Sequence, residues 1–295
     1  MSLNVDLYTD HFNFSERPFT LLPDPDFLFW SKAHARAFSV LEYGVMTRAP
    51  LTVVTGEVGT GKTTLIQALL RGIPDNVTVG LLSNAQGDQG DLLRWVLRSL
   101  NIPTEADADY VSLFHLFQDF VIDEYAAGRF VLIIIDEAQN LSFDALEELR
   151  MLTNINSNKD ELLQLILLGQ PELRHRISRP ELRQFAQRVT ATFHIEPMDL
   201  RTVRQYIKHR LMHVGGTGTE ISPQAVSLIH ETAQGIPRMI NKICDLALVY
   251  TASAGNSTVS VSVIRELVRD GVILPSQPVP LYLTNRIDLP EKAAQ

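Results

Sequence analysis

The sequence predicts an α/β fold in which a five-stranded parallel sheet is flanked by helices and followed by a small all-helical unit. The first observation is a set of strand-sized apolar runs that mostly do not alternate with polar residues, as expected for a sheet covered on both faces. Helical patterns lie between these runs, and strand patterns stop after Pro197. The five predicted strands are Leu51 to Thr55, Val77 to Leu82, Phe130 to Ile135, Leu163 to Leu168 and Ala191 to Ile195.

The helical patterns space apolar residues three or four positions apart, so that these residues share one face of each helix. The first pattern ends at Gly72 with Pro74 beyond it, which is typical of a helix C-terminus. Ser142 is a plausible N-cap for the last one. The predicted helices are Thr63 to Arg71, Asp91 to Leu100, Ser112 to Ala127 and Phe143 to Leu152. Because strands alternate with helices, the sheet is expected to be parallel.

The region after Pro197 shows helix signals only. Asp199 and Ser222 are typical N-caps, and Pro237 is a typical first helical residue. The predicted helices run from Asp199 to His213, Ser222 to Ala233, Pro237 to Tyr250 and Val261 to Arg269. The predicted bounds are 1–48 for an N-terminal arm and leading helix, 49–198 for the α/β domain, 199–273 for the helical lid domain and 274–295 for a flexible C-terminal tail.

Composition and charge exclude several classes of protein. Of the 295 residues, 45% are apolar and 20% are charged, so a disordered or collagen-like chain is excluded. The formal net charge of −8 disfavours a protein that coats nucleic acid, although it is compatible with a local basic groove.

No apolar run reaches the ~18–20 residues of a membrane helix, and the N-terminus does not resemble a signal peptide, so we expect a cytoplasmic chain. The only cysteine, Cys244, lies in an apolar helical pattern and is expected in the core.

Residues 56–63 match the phosphate-loop pattern G-x-x-x-x-G-K-[ST] and lie between a predicted strand and a predicted helix. Glycines let successive backbone N–H groups turn toward one ligand, and the helix that follows directs its positive dipole end there. Lys62 supplies a charge for the β- and γ-phosphates, and Thr63 supplies a hydroxyl for Mg²⁺. An ordinary glycine turn is disfavoured by this context. The predicted nucleotide-binding residues here are Gly56, Glu57, Val58, Gly59, Thr60, Gly61, Lys62, Thr63 and Thr64.

Two adjacent acids, Asp136 and Glu137, follow the most apolar predicted strand. Ligands of open α/β sheets bind at the carboxyl ends of strands, so Asp136 is expected to hold Mg²⁺ together with Thr63. Glu137 beside it is placed to accept a proton from an attacking water, which favours hydrolysis over transfer to another substrate. The alternative is that Glu137 is a surface bystander.

The expected nucleotide is ATP rather than GTP. A guanine-specific GTPase has the pattern N-K-x-D, and the nearest matches, Asn158-Lys159-Asp160-Glu161 and Asn241-Lys242-Ile243-Cys244, lack aspartate at the fourth place. The run L-S-G-G-Q of transporter cassettes is also missing from the sequence. The expected cofactors are therefore ATP and Mg²⁺.

The phosphate loop, the Asp136-Glu137 pair and the trailing helices together resemble an AAA+ ATPase of the P-loop NTPase fold. The details are similar to those of the general secretion pathway protein A (ExeA-type) ATPases over roughly residues 7 to 270. The motifs that carry this resemblance are Pro18-Phe19, Leu22-Pro23-Asp24-Pro25, Phe27-Leu28-Phe29, His34, Leu41-Glu42-Tyr43-Gly44, Asp136-Glu137-Ala138-Gln139-Asn140-Leu141, Leu168-Gly169-Gln170-Pro171-Glu172-Leu173 and Gly235-Ile236-Pro237-Arg238.

The resemblance implies further site residues. Gln170 falls at the sensor-1 place, where its amide would contact the γ-phosphate or the water; an N-cap for the helix at Pro171 is the other interpretation, and both can hold. Arg238 falls at the sensor-2 place, and an arginine in a first helical turn opposes the dipole, which favours a nearby anion over a local salt bridge. Asn84 is a candidate for holding Glu137 inactive until a partner binds.

An arginine finger, given to the γ-phosphate of a neighbouring subunit, is a third implied role. The resemblance places it between the last two predicted strands, where Arg188 fits best and Arg183 next. For either residue, a solvated helix charge is nearly as well supported. The arginines that crowd this stretch are Arg174, Arg176, Arg179, Arg183 and Arg188.

The favoured function is that of an ATP-driven assembly factor for a secretion or cell-envelope export system, which forms a ring or filament with ATP. ExeA-type proteins continue into a membrane segment and a peptidoglycan-binding region that these 295 residues do not contain, so we expect a membrane partner rather than a direct span. A DNA-linked AAA+ regulator, of the transposition or loader type, shares every ATP residue and is the alternative; nucleic acid is the less favoured partner. A scaffold that binds ATP without hydrolysis is the third class.

Overall fold

The computed structural model describes residues 8–21, 27–83, 91–157 and 160–273. In chain order its helices and strands are α1 (Thr9–Phe12), α2 (Lys32–Met46), β1 (Leu51–Gly56), α3 (Lys62–Gly72), β2 (Val77–Leu82), α4 (Asp91–Ser99), α5 (Tyr110–Ala126), β3 (Phe130–Ile135), α6 (Phe143–Leu152), β4 (Asn156–Ser157), β5 (Asp160–Glu161), β6 (Leu163–Gly169), α7 (Pro171–Ile177), α8 (Arg183–Arg188), β7 (Val189–Ile195), α9 (Leu200–His213), α10 (Pro223–Ala233), α11 (Pro237–Ser253) and α12 (Val261–Arg269). Single turns of 3₁₀-helix lie at Ala138–Asn140 and Pro180–Leu182.

Five of the strands form one parallel sheet in the order β2-β3-β6-β1-β7. Strand β1 lies inside this sheet, where Val54 pairs with Leu168 of β6 and with Phe193 of β7. Within this sheet, strands that are consecutive in the chain are joined by helices that cross one or the other of its two faces. The predicted five-stranded parallel sheet is confirmed, and its order brings the carboxyl ends of β1, β3 and β6 to one edge.

The two faces of the sheet are covered by different helices. On β3, Leu132 and Ile134 pack in one apolar cluster with α2 and α3, whereas Ile133 and Ile135 pack in another with α4, α5 and α6. Each of these four side chains is at most 1% exposed. Full burial of such a side chain stabilises the fold by roughly 1.5–3 kcal/mol. Burial on both faces explains why the predicted strands do not alternate.

Strand β7 differs in detail from its prediction. It begins at Val189 rather than Ala191, and its register against β1 shifts between Leu51 and Thr52, so that Thr190 has no partner on β1. A bulge of this kind is common on an edge strand, where pairing is required on one side only. The short antiparallel pair β4 and β5 was not predicted, because two-residue strands show no hydrophobic period.

A second compact unit consists of α9 to α12 together with the described residues of the N-terminal arm before Trp30. Polar bonds hold the arm here: the Arg210 Nε donates to the Pro18 carbonyl, and Asn241 Nδ2 donates to the Thr20 carbonyl at 3.1 Å. The arm residues buried in the core of this helical unit are Tyr8, Phe14, Phe19 and Phe27.

The two units divide the chain differently from the predicted bounds at the N-terminal end. Helix α2 groups with the α/β unit, which covers 30–196, whereas the arm before it groups with the helical unit. The reason is that the aromatic residues of the arm fill the helical core, which no local pattern in the arm reveals. The predicted tail, 274–295, lies outside the described residues.

Three of the predicted N-cap residues lie at the starts of α6, α9 and α10. The predicted N-caps Ser142, Asp199 and Ser222 are confirmed, since each side chain accepts a hydrogen bond from the backbone N–H three residues on. Cys244 is fully buried in the helical core, as predicted, and burial raises the pKa of its thiol. Within the residues that the structure describes, none of the helices is both long enough and apolar enough to cross a membrane.

Candidate nucleotide-binding site

The phosphate loop joins β1 to α3 through a tight turn. The backbone N–H and the hydroxyl of Thr60 both donate to the Glu57 carbonyl, at 3.2 and 2.8 Å. Gly59 and Gly61 have φ angles of +82° and +96°, in the left-handed region that residues with a Cβ rarely adopt. The strand, loop and helix that the sequence predicted for residues 56–63 are therefore formed.

Lys62, the first residue of α3, turns its side chain back over the loop. Its Nζ donates to the Gly56 carbonyl at 2.8 Å and to the Glu57 carbonyl at 3.1 Å. The residue is only 5% exposed, and burial lowers the pKa of its ammonium group. The ammonium group is thus held within the loop by two carbonyl groups, beside the predicted phosphate position.

Four carboxylates act electrostatically on Lys62 and oppose the effect of burial on its pKa: those of Glu137, Asp136, Glu57 and Glu172. These four charges are negative, so a triphosphate gains from entering together with a divalent cation. The electrostatics therefore fit a nucleotide bound as its magnesium complex.

Thr63 and Asp136 meet at the edge of the sheet. The Thr63 hydroxyl donates to Asp136 Oδ2 at 2.8 Å, and Asp136, at the end of β3, is 8% exposed. In the described part of the chain, no group of three or more His, Cys, Asp or Glu side chains could hold a metal ion. Mg²⁺ at phosphate sites takes one or two protein ligands and completes its shell with water and phosphate oxygens. The hydroxyl and the carboxylate together fit that role.

Glu137 follows Asp136 with a φ of +55° and a ψ of +34°. This left-handed conformation costs a non-glycine residue roughly 1–2 kcal/mol relative to a right-handed one. Its backbone N–H donates to Asp136 Oδ1 at 2.9 Å. Such conformations occur where surrounding contacts hold a side chain in one direction, and they are frequent at functional sites.

Two glutamine amides hold the Glu137 carboxylate. Gln139 Oε1 accepts from the Gln170 backbone N–H at 3.0 Å, and because that N–H can only donate, the Gln139 Nε2 is left to donate to Glu137 Oε2, at 2.7 Å. Gln170 Nε2 donates to the same oxygen at 3.3 Å. Among the described residues, Glu137 Oε1 has no hydrogen-bond partner. One carboxylate oxygen is therefore anchored and the other is left for a water molecule.

Gly169 makes this arrangement possible. A Cβ at this position would lie 3.1 Å from Gln139 Oε1 and 2.7 Å from Leu173 Cδ2. Gln170 does occupy the N-cap position of α7, but its side chain makes no capping hydrogen bond. The Gln170 amide contacts Glu137 instead, and its predicted role as a sensor of the γ-phosphate or the water stays a prediction.

The predicted arginines lie away from this cluster. In the described residues, the Arg188 guanidinium contacts Asn154 Oδ1 and lies 3.9 Å from Glu161 Oε1, with no bond to the phosphate loop. Arg183, in the first turn of α8, lines a surface pocket of about 350 Å³ with Phe143 and Glu147. A finger that serves a neighbouring subunit is expected to be distant from its own site.

Arg238 and Asn84 are the two remaining residues predicted to act at this site. Arg238 lies in the first turn of α11, in the helical unit. Asn84 lies outside the described residues. The roles of both remain predictions.

The structure also gives positions to two residues for which the sequence indicated no role. Gln139 bridges Glu137 and Gln170, and His34 contacts the phosphate loop from α2. The motif around Asp136 did contain Gln139, but no spacing rule shows that its amide bonds to a backbone group 31 residues later. His34 lies 26 residues before its partner, on an element with no recognised phosphate motif.

Comparisons with known proteins agree with this geometry. A family model described as "AAA domain" matches residues 45–177. The general secretion pathway protein A of Aeromonas hydrophila is 38% identical over 250 residues, which cover 85% of this chain. The chain belongs to the AAA+ family. Within it, the chain is related to general secretion pathway protein A, and it spans 46% of the length of that relative.

Solved structures show that this AAA+ protein shares its fold with proteins named ORC and Cdc6. The ORC2 protein of Aeropyrum pernix, in ADPNP–ADP complexes, superposes with a TM-score of 0.58 at 20% identity, covering 83% of this chain and 68% of ORC2. Cdc6p of Pyrobaculum aerophilum gives a TM-score of 0.60 at 16% identity, covering 88% and 69%. Drosophila ORC bound to DNA gives 0.63 at 15% identity, covering 88% and 65%. At these identities the likeness establishes the fold alone.

Proposed function

We propose that this AAA+ protein binds ATP with Mg²⁺ and hydrolyses it to ADP and phosphate. The observation that carries the proposal is the convergence of four groups at one sheet edge: the Lys62 ammonium, the Thr63 hydroxyl and the carboxylates of Asp136 and Glu137. Thr63 and Asp136 are in direct contact at 2.8 Å, and Glu137 is the next residue. Membership of the AAA+ family supports the same reaction.

Each group has a distinct task in this proposal. The loop N–H groups and Lys62 bind the β- and γ-phosphates, and Thr63 with Asp136 holds Mg²⁺, which neutralises charge on the phosphates when bound. Glu137 Oε1 accepts a proton from the attacking water, while the amides of Gln139 and Gln170 hold Oε2. Arg238 is proposed as a second sensor of the nucleotide.

Arg188 is the proposed arginine finger. Changing Arg188→Ala should leave ATP affinity intact but lower turnover by a factor on the order of 10³, because the finger acts on transition-state charge. The measurement is ATP turnover, with Arg36→Ala, an exposed arginine of α2, as the charge-matched control. Turnover should partly return when Arg188→Ala subunits are mixed with Glu137→Gln subunits, since each then supplies what the other lacks. Full activity of Arg188→Ala with loss in Arg183→Ala would transfer the role to Arg183.

The cellular role that we propose is assembly of a secretion or cell-envelope export system. The name of the relative from Aeromonas hydrophila, general secretion pathway protein A, supports this role. ATP would join subunits into a ring or filament, and hydrolysis would release them. The partner is a protein of the secretion machinery or the membrane, and the chain is expected to act at the cytoplasmic side.

The second candidate is a DNA-linked AAA+ regulator. The observation that favours it is the shared fold with ORC proteins, one of them in a structure bound to DNA. Under this alternative, the arginines near α7 and α8 would contact phosphates of DNA. The net charge of −8 counts against it.

Two measurements on the purified chain test these candidates, the first ATP-driven assembly and the second the choice between them. Light scattering after size exclusion, with and without a non-hydrolysable ATP analogue, should show a mass increase with the analogue. Anisotropy of labelled duplex DNA, measured with the analogue over a range of salt concentrations, should show no salt-dependent binding. Binding that falls steeply with salt would favour the DNA regulator, and a monomer at every protein concentration would contradict ATP-driven assembly.

A further inference from the structure

His34 is a buried polar residue that the proposed catalytic roles do not use. It lies in the first turn of α2, where Ser31 caps the helix by accepting from the His34 backbone N–H at 3.2 Å. Its side chain is almost completely enclosed, with the residue 5% exposed. Both ring nitrogens have partners: Nε2 lies 2.8 Å from the Thr60 carbonyl oxygen and Nδ1 lies 2.6 Å from Ser31 Oγ.

These partners determine where the ring proton is. A carbonyl oxygen can only accept, so Nε2 must carry hydrogen and donate to Thr60. Burial lowers the pKa of His34, an effect that the hydrogen bond to Thr60 opposes as the smaller influence. The ring is therefore neutral, Nδ1 has a lone pair, and the Ser31 hydroxyl donates to it. This chain of bonds links the N-cap of α2 to the phosphate loop.

The bond to Thr60 sets the direction of the next backbone N–H. In a trans peptide the C=O and N–H point in opposite directions, and no cis peptide occurs among the described residues. Because His34 holds the Thr60 carbonyl, the Gly61 N–H must point away from His34. Among the described residues, nothing accepts a hydrogen bond from this N–H. It is therefore available to a phosphate oxygen.

The imidazole also supports the loop by packing. A Cβ on Gly61 would lie 3.1 Å from His34 Nε2, so the ring is in close contact with the backbone at the point where φ is +96°. On its other side, Thr60 is fixed by its two bonds to the Glu57 carbonyl. The Thr60–Gly61 peptide is thus held from both sides before any ligand enters.

We propose that His34 is a positioning residue for nucleotide binding, whose Nε2–H anchors the Thr60 carbonyl and thereby turns the Gly61 N–H toward the phosphates. This inference rests on the proposed nucleotide-binding function. It assigns to α2, an element outside the phosphate-loop motif, a share in the affinity for nucleotide. The probes that test it are ADP and a non-hydrolysable ATP analogue, so hydrolysis is not needed.

The experiment compares two replacements of similar length in the full chain. His34→Met removes the donor and should weaken the binding of both probes about tenfold by calorimetry, because the loop then loses a hydrogen bond and is no longer pre-organised. His34→Gln keeps an N–H donor near the position of Nε2 and should bind within about threefold of the parent chain. His115→Met, a change at an exposed histidine of α5, should have no effect.

The outcomes are distinguishable. If the parent chain binds neither probe, the proposed function fails, and the positioning role of His34 in nucleotide binding fails with it. If the parent binds and His34→Met binds equally well, or if His34→Gln is as weak as His34→Met, the positioning role is overturned. A purely structural role predicts that both variants lose thermal stability while their folded fraction, given by calorimetric stoichiometry, binds normally.

A spectroscopic measurement on the parent chain does not depend on either variant folding. Histidine-selective ¹⁵N NMR of the nucleotide-free protein should show His34 as a neutral ring with its hydrogen on Nε2. A neutral ring with its hydrogen on Nδ1 instead would overturn the proposed anchor, because Nε2 would then have no hydrogen to donate to Thr60.

Discussion

Changing Lys62→Ala should weaken ATP binding about 100-fold or more, because the variant loses a charge-assisted contact to the phosphates in a partly enclosed site. Calorimetry with a non-hydrolysable analogue measures this directly. The thermal stability of the variant should not fall greatly, since a buried ammonium group that costs desolvation energy is removed together with its two carbonyl contacts.

Lys32→Ala is the matched control for this change. Lys32 is an exposed lysine at the start of α2 in the same unit, so its replacement removes an equal charge. The ATP affinity of Lys32→Ala should stay within about twofold of the parent, because salt screens the interaction between an exposed charge and a distant nucleotide. Normal ATP affinity in Lys62→Ala would show that the nucleotide does not bind at the phosphate loop.

Changing Glu137→Gln should lower ATP turnover by a factor on the order of 10²–10⁴, the range expected for loss of a general base. The amide keeps the shape of the side chain, and its oxygen can still accept from Gln139 and Gln170, so ATP affinity should be retained. Steady-state turnover and calorimetry together separate these two quantities. With ATP present, the variant should accumulate as the assembled form.

Glu172→Gln tests whether the effect is electrostatic only. The negative charge of Glu172, like that of Glu137, acts on Lys62 and raises its pKa. Glu172 lies in the first turn of α7 rather than directly after Asp136. No described hydrogen bond joins it to Asp136. If both variants lose turnover equally, general negative charge rather than proton transfer explains the activity. Unchanged turnover in Glu137→Gln alone would exclude this residue as the base.

The sheet and the phosphate loop could be predicted because their signals are local. The length and flanking residues of the run from Phe130 to Ile135 identify it as a buried strand. The glycines at 59 and 61 indicate a turn with positive φ angles, which both residues adopt. The end of that strand likewise predicted where Asp136 would lie. Each of these features depends on fewer than about ten consecutive residues, within the reach of a periodic pattern.

The supporting contacts could not be predicted because they join distant segments. The hydrogen bond from His34 to Thr60 and the one between Gln139 and the Gln170 backbone depend on how helices cross the sheet. The left-handed backbone of Glu137 is also invisible in the sequence, because glutamate gives no sign of that conformation. The partner of Arg188 in the proposed assembly belongs to another subunit, so a single chain cannot contain it.

The helical unit is built from two pieces of chain that lie on either side of the α/β unit in the sequence. During synthesis, Phe14 and Phe19 therefore leave the ribosome early, but they can be buried only after α9 to α12 have been made. The α/β unit can complete its own core sooner. A truncated chain that starts at β1 would lack the aromatic residues of the arm that pack in the core of α9 to α12. We therefore expect a fragment containing these four helices to be soluble only when the first thirty residues are included.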